Sequence, residues 1–147
     1  MSALRLFLTY SQTGDRAALE LARQLLLDLQ AAGAQVVTPK DARAGQQFIR
    51  YLQGELPRCQ YVLMVQTSYA LTCPQLQTTI GMALQMYARH QLRGIWRLLA
   101  QPSLEMEEQP SWSPVRTIDA SQNYAQARTR LLAELGLTAH KAHTHFL

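Results

Sequence analysis

Short apolar runs and longer amphipathic stretches alternate along this chain, and the alternation predicts its elements. "LRLFLTY" (Leu4 to Tyr10) is a compact apolar run suited to a strand, and the polar "SQTGD" that follows suits a loop. From Asp15 to Ala32, Ala18, Leu21, Ala22, Leu25, Leu29 and Ala32 recur at three- and four-residue spacing, which predicts an amphipathic helix started by Asp15 and ended by Gly33. "AQVVT" (Ala34 to Thr38) predicts a second strand, Pro39 to Gly45 a loop, and Gln46 to Leu56 a helix stopped by Pro57. "QYVLMVQT" (Gln60 to Thr67) is nearly apolar throughout, as a central parallel strand covered on both faces must be. Pro74 suits the first turn of a third helix, whose Leu76, Ile80, Ala83, Leu84 and Tyr87 form one stripe. Strands follow at Gly94 to Ala100 and Val115 to Ala120, separated by an irregular stretch, Gln101 to Pro114, with one helical turn expected around Leu104 to Glu107. A last amphipathic helix covers Tyr124 to Leu135, where Gly136 can end it.

Strands alternating with helices imply a parallel sheet with right-handed crossovers and helices on both faces. The expected architecture is α/β, three-layered and flavodoxin-like, with a five-stranded parallel sheet in the order 2-1-3-4-5. Ligands of such sheets sit outside the carboxyl ends of the strands, at the switch point between strands one and three. Here that rim is formed by Tyr10-Ser11, Thr38-Pro39 and Thr67-Ser68.

A length of 147 residues and a hydrophobic fraction of 48% are enough for one domain with a real core. One unit is expected over 1–137, followed by a disordered tail, 138–147, whose His140, His143 and His145 follow no periodicity. No apolar run approaches the ~20 residues of a membrane span and the N-terminus does not read as a secretory signal, so a cytoplasmic protein without a membrane partner is expected. Cys59 and Cys73 have neither CxxC spacing nor a His/Cys partner pattern, which argues for reduced thiols and no metal site. The net charge of +4 comes from twelve Arg and two Lys dispersed along the chain, the pattern of a solvated surface rather than of a nucleic-acid partner.

The rim residues then discriminate among chemistries. A phospho-accepting receiver needs an Asp ending strand three and an acidic pair after strand one; Gln66-Thr67 and Ser11-Gln12 stand there instead. A dinucleotide or P-loop site needs a glycine-rich turn after strand one, and "YSQTGDR" has one glycine. The N-terminus of the first helix favours phosphate, so Tyr10, Ser11 and Arg16 can line a nucleotide pocket; Tyr10 serves equally well as a strand-end packing residue. Cys73 beside a helix N-terminus has the position of a nucleophile but no assignable base, so a buried, inert cysteine fits it better.

Three stretches in order resemble the Toll/interleukin-1 receptor (TIR) domain family over about Leu4 to Leu137. "LFLTYSQTGDRAALELARQLLLDLQAAG" is similar to its first box, "VVTPKDARAGQQF" to its BB loop, and "YVLMVQTSYALTCPQLQTTIGMAL" to the segment with a strand-end Ser, a second Ser, a Trp-Cys pair and a helical Glu. Aligned on "IGMAL", Thr67 takes the place of the first Ser, Cys73 of the second, and Thr79 of the Glu. In catalytic relatives that Glu supports cleavage of the nicotinamide–ribose bond of NAD, a task that needs a negative charge near an oxocarbenium-like centre. Thr79 is neutral and has no acid to offer. On a helical wheel Thr79 lies about 60° from Leu76, at the edge of the apolar stripe and toward the cleft mouth.

What the resemblance implies is a signalling or scaffolding domain, of the kind used in innate immunity, that associates with other TIR domains in homo-oligomers or filaments. Pro39, Lys40, Asp41, Arg43 and Gly45 would form its interaction loop, and it would need no cofactor. Two alternatives stand beside it. One is an NAD-cleaving enzyme that uses Asp15, Asp41 or Asp119 as a substitute acid, or acts only on assembly; Glu55, near the end of the second helix, is expected opposite this site. The other is a sensor that binds NAD or a related nucleotide at Tyr10, Ser11, Arg16, Thr67, Cys73 and Thr79 without cleaving it.

Overall fold

The computed structural model of the protein describes residues 4–11, 16–39, 46–67, 73–101 and 114–137. Five strands, β1 (Arg5–Thr9), β2 (Gln35–Val37), β3 (Tyr61–Gln66), β4 (Gly94–Leu99) and β5 (Arg116–Asp119), alternate with four helices, α1 (Arg16–Ala31), α2 (Gln46–Glu55), α3 (Pro74–Ala88) and α4 (Tyr124–Glu134). The strands form one parallel sheet, as the alternation predicts, and its order β2-β1-β3-β4-β5 is the flavodoxin-like one expected. The stretch from Pro102 to Ser113, with its expected turn around Leu104, and the tail after Leu137 lie outside the described residues.

Side chains alternate across the sheet and divide the core in two. Leu6, Leu8, Leu63, Val65, Trp96, Leu98 and Ile118 pack against α1 and α4, meeting Ala18, Ala22, Leu25, Leu29, Leu131 and Leu132. Phe7, Val62, Met64 and Ile95 pack on the other face against α2 and α3, meeting Phe48, Leu52, Leu76, Ile80 and Ala83. The central strand β3 carries Val62, Leu63, Met64 and Val65 at zero exposure, which is why its sequence is apolar without alternation. At roughly 1.5–3 kcal/mol for each fully buried large apolar side chain, this strand alone contributes a sizeable share of the driving force.

Polar ties fix the elements at the amino ends of the strands. The Arg5 guanidinium donates to Glu55 Oε2 at 2.8 Å and to Gln35 Oε1 at 3.4 Å, while Gln60 Oε1 accepts from the Arg5 backbone N–H at 3.0 Å. One residue thus joins β1, β2, α2 and the start of β3, and the hydrogen bond to Glu55 raises the Arg5 pKa. On the other face Tyr124 donates its hydroxyl to Asp28 and Arg128 pairs with the same carboxylate at 3.6 Å, docking α4 on α1. Burial, then the Asp28 bond, pushes the Tyr124 phenol well above its ordinary range.

Three helices end in the same way, with one residue in the left-handed region and two reverse hydrogen bonds. For α1 the Gly33 N–H donates to Gln30 O and the Ala34 N–H to Leu29 O; for α4 Gly136 donates to Ala133 O and Leu137 to Leu132 O. Both glycines were expected as stops, at φ +97 and φ +75. At the end of α3 the pattern repeats with His90 N–H to Tyr87 O and Gln91 N–H to Met86 O, so His90 adopts φ 61. The sequence carries no stop signal there because a residue with a Cβ occupies the position that glycine favours. His90→Gly is expected to stabilise the protein by about 0.5–1 kcal/mol, read as a higher urea midpoint at unchanged slope; an unchanged or lower midpoint would show that the His90 side chain offsets its backbone strain.

Candidate functional site

The switch point lies between β1 and β3, where the strand order reverses. The carboxyl ends of these strands are polar yet closed to solvent: Thr9 is 2% exposed, Ser11 5%, Gln66 1% and Thr67 0%. Alternation puts Thr9 and Gln66 on the α2/α3 face with Phe7, Val62 and Met64, and Thr67 on the α1 face with Leu63 and Val65. Tyr10 packs half-buried against the α1 cluster. The sheet therefore separates Tyr10 and Thr67 from Cys73 and Thr79, which belong to α3 on the other face.

Arg16 begins α1 with its side chain 92% exposed and pairs only loosely, at 3.9 Å, with Glu20. Cys73 is the N-cap residue of α3; its carbonyl accepts from the Gln77 N–H at 3.1 Å, and its half-buried side chain makes no capping bond. Pro39 is buried where the chain leaves β2, and the Tyr51 hydroxyl donates to the preceding carbonyl, Thr38 O, at 2.7 Å. Asp15, Lys40, Asp41, Arg43 and Gly45 lie outside the described residues.

Thr79 differs from its expected place at a cleft mouth. Its exposure is 0%, and its hydroxyl donates to the Gln75 carbonyl one turn back at 2.8 Å. The wheel places it at the edge of the apolar stripe, but with α3 packed on the sheet beside α2 that edge is buried as well. A hydroxyl can be buried this way because the helix itself supplies the acceptor, whereas a carboxylate has no such local partner.

Asp119 is exposed at the end of β5, two strands away from β3, a lateral distance of about 10 Å. Its Oδ1 accepts from the Ser121 N–H at 2.8 Å and from Ser121 Oγ at 2.6 Å, so the carboxylate organises the turn into α4. Asn123 caps that helix by accepting from the Gln126 N–H at 3.1 Å. Between them lies an open depression of about 330 Å³ lined by Asp119, Gln122, Asn123, Gln126 and Arg130 over Ile118 and Ala127. Glu55 lies at the amino side, paired with Arg5 and away from the rim. Among the described residues no group of three His, Cys, Asp or Glu side chains could hold a metal ion.

Gln66 is the rim residue that sequence reasoning missed. Its Oε1, at the carboxyl end of the central strand, is buried without a hydrogen-bond partner among the described residues. The available signal was a carboxamide closing an otherwise apolar strand, since burying an amide oxygen without a partner costs about 1–3 kcal/mol.

The TIR domain family model matches residues 6–132. The chain belongs to the TIR domain family. No curated protein sequence is significantly similar to it. Among solved structures, this TIR domain is similar to the TIR domain of a Toll-related receptor from Hydra magnipapillata, at 14% identity and TM-score 0.67, covering 88% of this chain and 96% of that one. It is also similar to a CMP N-glycosidase from Clostridium botulinum, at 18% identity and TM-score 0.61, covering 87% and 98%. A putative lipoprotein fragment from Peptoclostridium difficile is similar at 13% identity and TM-score 0.50, covering 90% and 98%. At these identities the likenesses establish a shared fold. Among the described residues no helix is long and apolar enough to cross a membrane.

Two predictions follow the burial at and around α3. Thr79→Val, which leaves the Gln75 carbonyl its helical N–H donor, is expected to cost less than about 1.5 kcal/mol, whereas Thr79→Glu is expected to cost about 3 kcal/mol or more by burying an uncompensated charge. Chemical denaturation of the two variants separates these, and near-equal stabilities would show that position 79 opens to water. The second concerns Cys59, 3% exposed, whose thiol burial pushes up to about 11 in spite of Arg5 nearby. Because its folded pKa lies above the ordinary ~8.5, its contribution to stability is full below about pH 8.5 and is lost as pH rises to about 11. A thiol reagent at pH 8 should label Cys73 first and Cys59 only as the protein unfolds; equal labelling rates would contradict the buried placement.

Proposed function

We propose that this TIR domain works by association with other TIR domains, as a signalling or scaffolding module, and that it does not hydrolyse NAD through the residue at position 79. The observation that carries this reading is the state of Thr79: zero exposure, no charge, and a hydroxyl committed to the Gln75 carbonyl. Stabilising an oxocarbenium-like centre needs a carboxylate that reaches the substrate, and this position supplies neither the charge nor the access. Family membership supports association as the remaining role, with Pro39 to Gly45 as the contact loop. Pro39 and the Tyr51 bond to Thr38 O give that loop a fixed root on β2 and α2. A head-to-tail contact through such a loop propagates into open-ended assemblies.

A second reading draws on the similarity to a CMP N-glycosidase, a protein named for cleaving the N-glycosidic bond of a nucleotide. In that reading a nucleotide such as NAD binds outside the carboxyl ends of β1 and β3, over the buried Ser11, Gln66 and Thr67, and is either cleaved with the help of Asp15, Asp41 or Asp119 or bound without turnover. Asp119 is held in its turn by Ser121.

The deciding experiment incubates the purified protein with NAD, dilute and concentrated, while nicotinamide release and sedimentation are followed together. The expected result is concentration-dependent association, weakened by Gly45→Glu, with no nicotinamide released. Nicotinamide release abolished by Asp15→Asn, Asp41→Asn or Asp119→Asn would replace this reading with the enzyme, and saturable NAD binding without release would replace it with the sensor.

A further inference from the structure

The amino-terminal edge of the sheet, opposite the rim, collects arginines from elements far apart in sequence. Gln60 N–H donates to Arg5 O and Arg93 N–H donates to Gln60 O, both at 2.8 Å, so Arg5, Gln60 and Arg93 stand side by side on adjoining strands. Arg58 precedes Gln60 in the turn after α2, Arg89 ends α3 four residues before Arg93, and Arg116 opens β5. The acids described at this edge are Glu55 and Glu134, and each is already shared. Glu55 meets Arg5 at 2.8 Å and Arg58 at 3.9 Å, and Glu134 meets Arg116 at 3.4 Å and Arg130 at 3.2 Å. Arg89 and Arg93 are exposed and have no acidic partner among the described residues. Like charges held together by the fold repel one another, and an anionic partner relieves that cost.

The same chain contains the complement. From Leu98 to Val115 it has no basic residue and carries Glu105, Glu107 and Glu108. We propose that the arginine edge around Arg58, Arg89 and Arg93 is a docking surface for the glutamate-rich segment of a second copy of this chain. The contact joins two different surfaces, so each copy keeps one of each free and the assembly can grow. This proposal rests on the association reading above and names a second contact for it, separate from the Pro39 to Gly45 loop. Its attraction is between solvent-exposed charges, so it weakens with salt as the screening length falls to about 10 Å at 0.1 M.

The test is sedimentation of the full chain at low and high salt, with two charge-reversed variants: Arg89→Glu with Arg93→Glu, and Glu105→Arg with Glu107→Arg and Glu108→Arg. Circular dichroism confirms that each folds. The expected result is association of the natural chain that salt weakens, a drop of about tenfold or more in each variant alone, and recovery when the two variants are mixed. If Arg89→Glu with Arg93→Glu assembles like the natural chain while Gly45→Glu does not, the arginine edge is overturned as an interface and the association reading stands. If the natural chain stays monomeric at every concentration and salt, both fail. If the arginine variants lose binding to a poly-uridine RNA but keep self-association, the edge is a nucleic-acid surface and the proposal is overturned.

Discussion

The structure depends on β3 being buried on both faces and paired on both edges. Leu6 to Thr9 of β1 align with Tyr61 to Met64, and the whole of β4 from Gly94 to Leu99 aligns with Tyr61 to Gln66. Its side chains alternate between two separate cores, so moving its register by one residue would exchange the partners of α1 with those of α3. The central pairing thereby decides which helices cover which face. It also sets the switch point, because β1 and β4 lie on opposite sides of β3 and the chain must turn outward in both directions from it.

That arrangement also explains what the rim offers. A strand enclosed on both faces ends in residues the core still covers, so Gln66 and Thr67 are polar without being open to water. Gln66 keeps an amide oxygen there with no partner among the described residues. On α3, Thr79 satisfies its hydroxyl within its own helix, which lets Thr79 be buried beside Ile80 while Gly81 stays exposed. The packing of α3 and the absence of an acid at position 79 are thus mutually consistent: a carboxylate at that depth would be costly without a compensating partner.

Charge is distributed by the fold rather than by the order of residues. The arginines are dispersed along the sequence, yet parallel strands begin at one edge and helices end there, so residues as separate as Arg5, Arg58, Arg93 and Arg116 arrive together. Arg5 spends its charge on joining β1, β2 and α2, and Arg116 lies over the Trp96 ring with its charge turned toward Glu134. Arg89 and Arg93 are left facing solvent. A dispersed composition and a localised surface are compatible because topology does the gathering.

The sequence by itself determined the element order, the parallel sheet and the double-sided burial of β3, because apolar periodicity and turn residues are local signals with nearly one-to-one structural meaning, while the strand order followed from analogy with flavodoxin-like sheets. It also showed that position 79 lacks an acid and that Gly33 and Gly136 end their helices. Only the tertiary structure decided how deep Thr79 lies, since a helical wheel gives direction and not the distance to the neighbouring layer. It likewise decided the left-handed turn at His90, the buried oxygen of Gln66, the separation of Tyr10 from Cys73 by the sheet, and the meeting of arginines at one edge. The His90 turn carries no glycine to announce it, and the others depend on contacts between residues remote in sequence that no local pattern encodes.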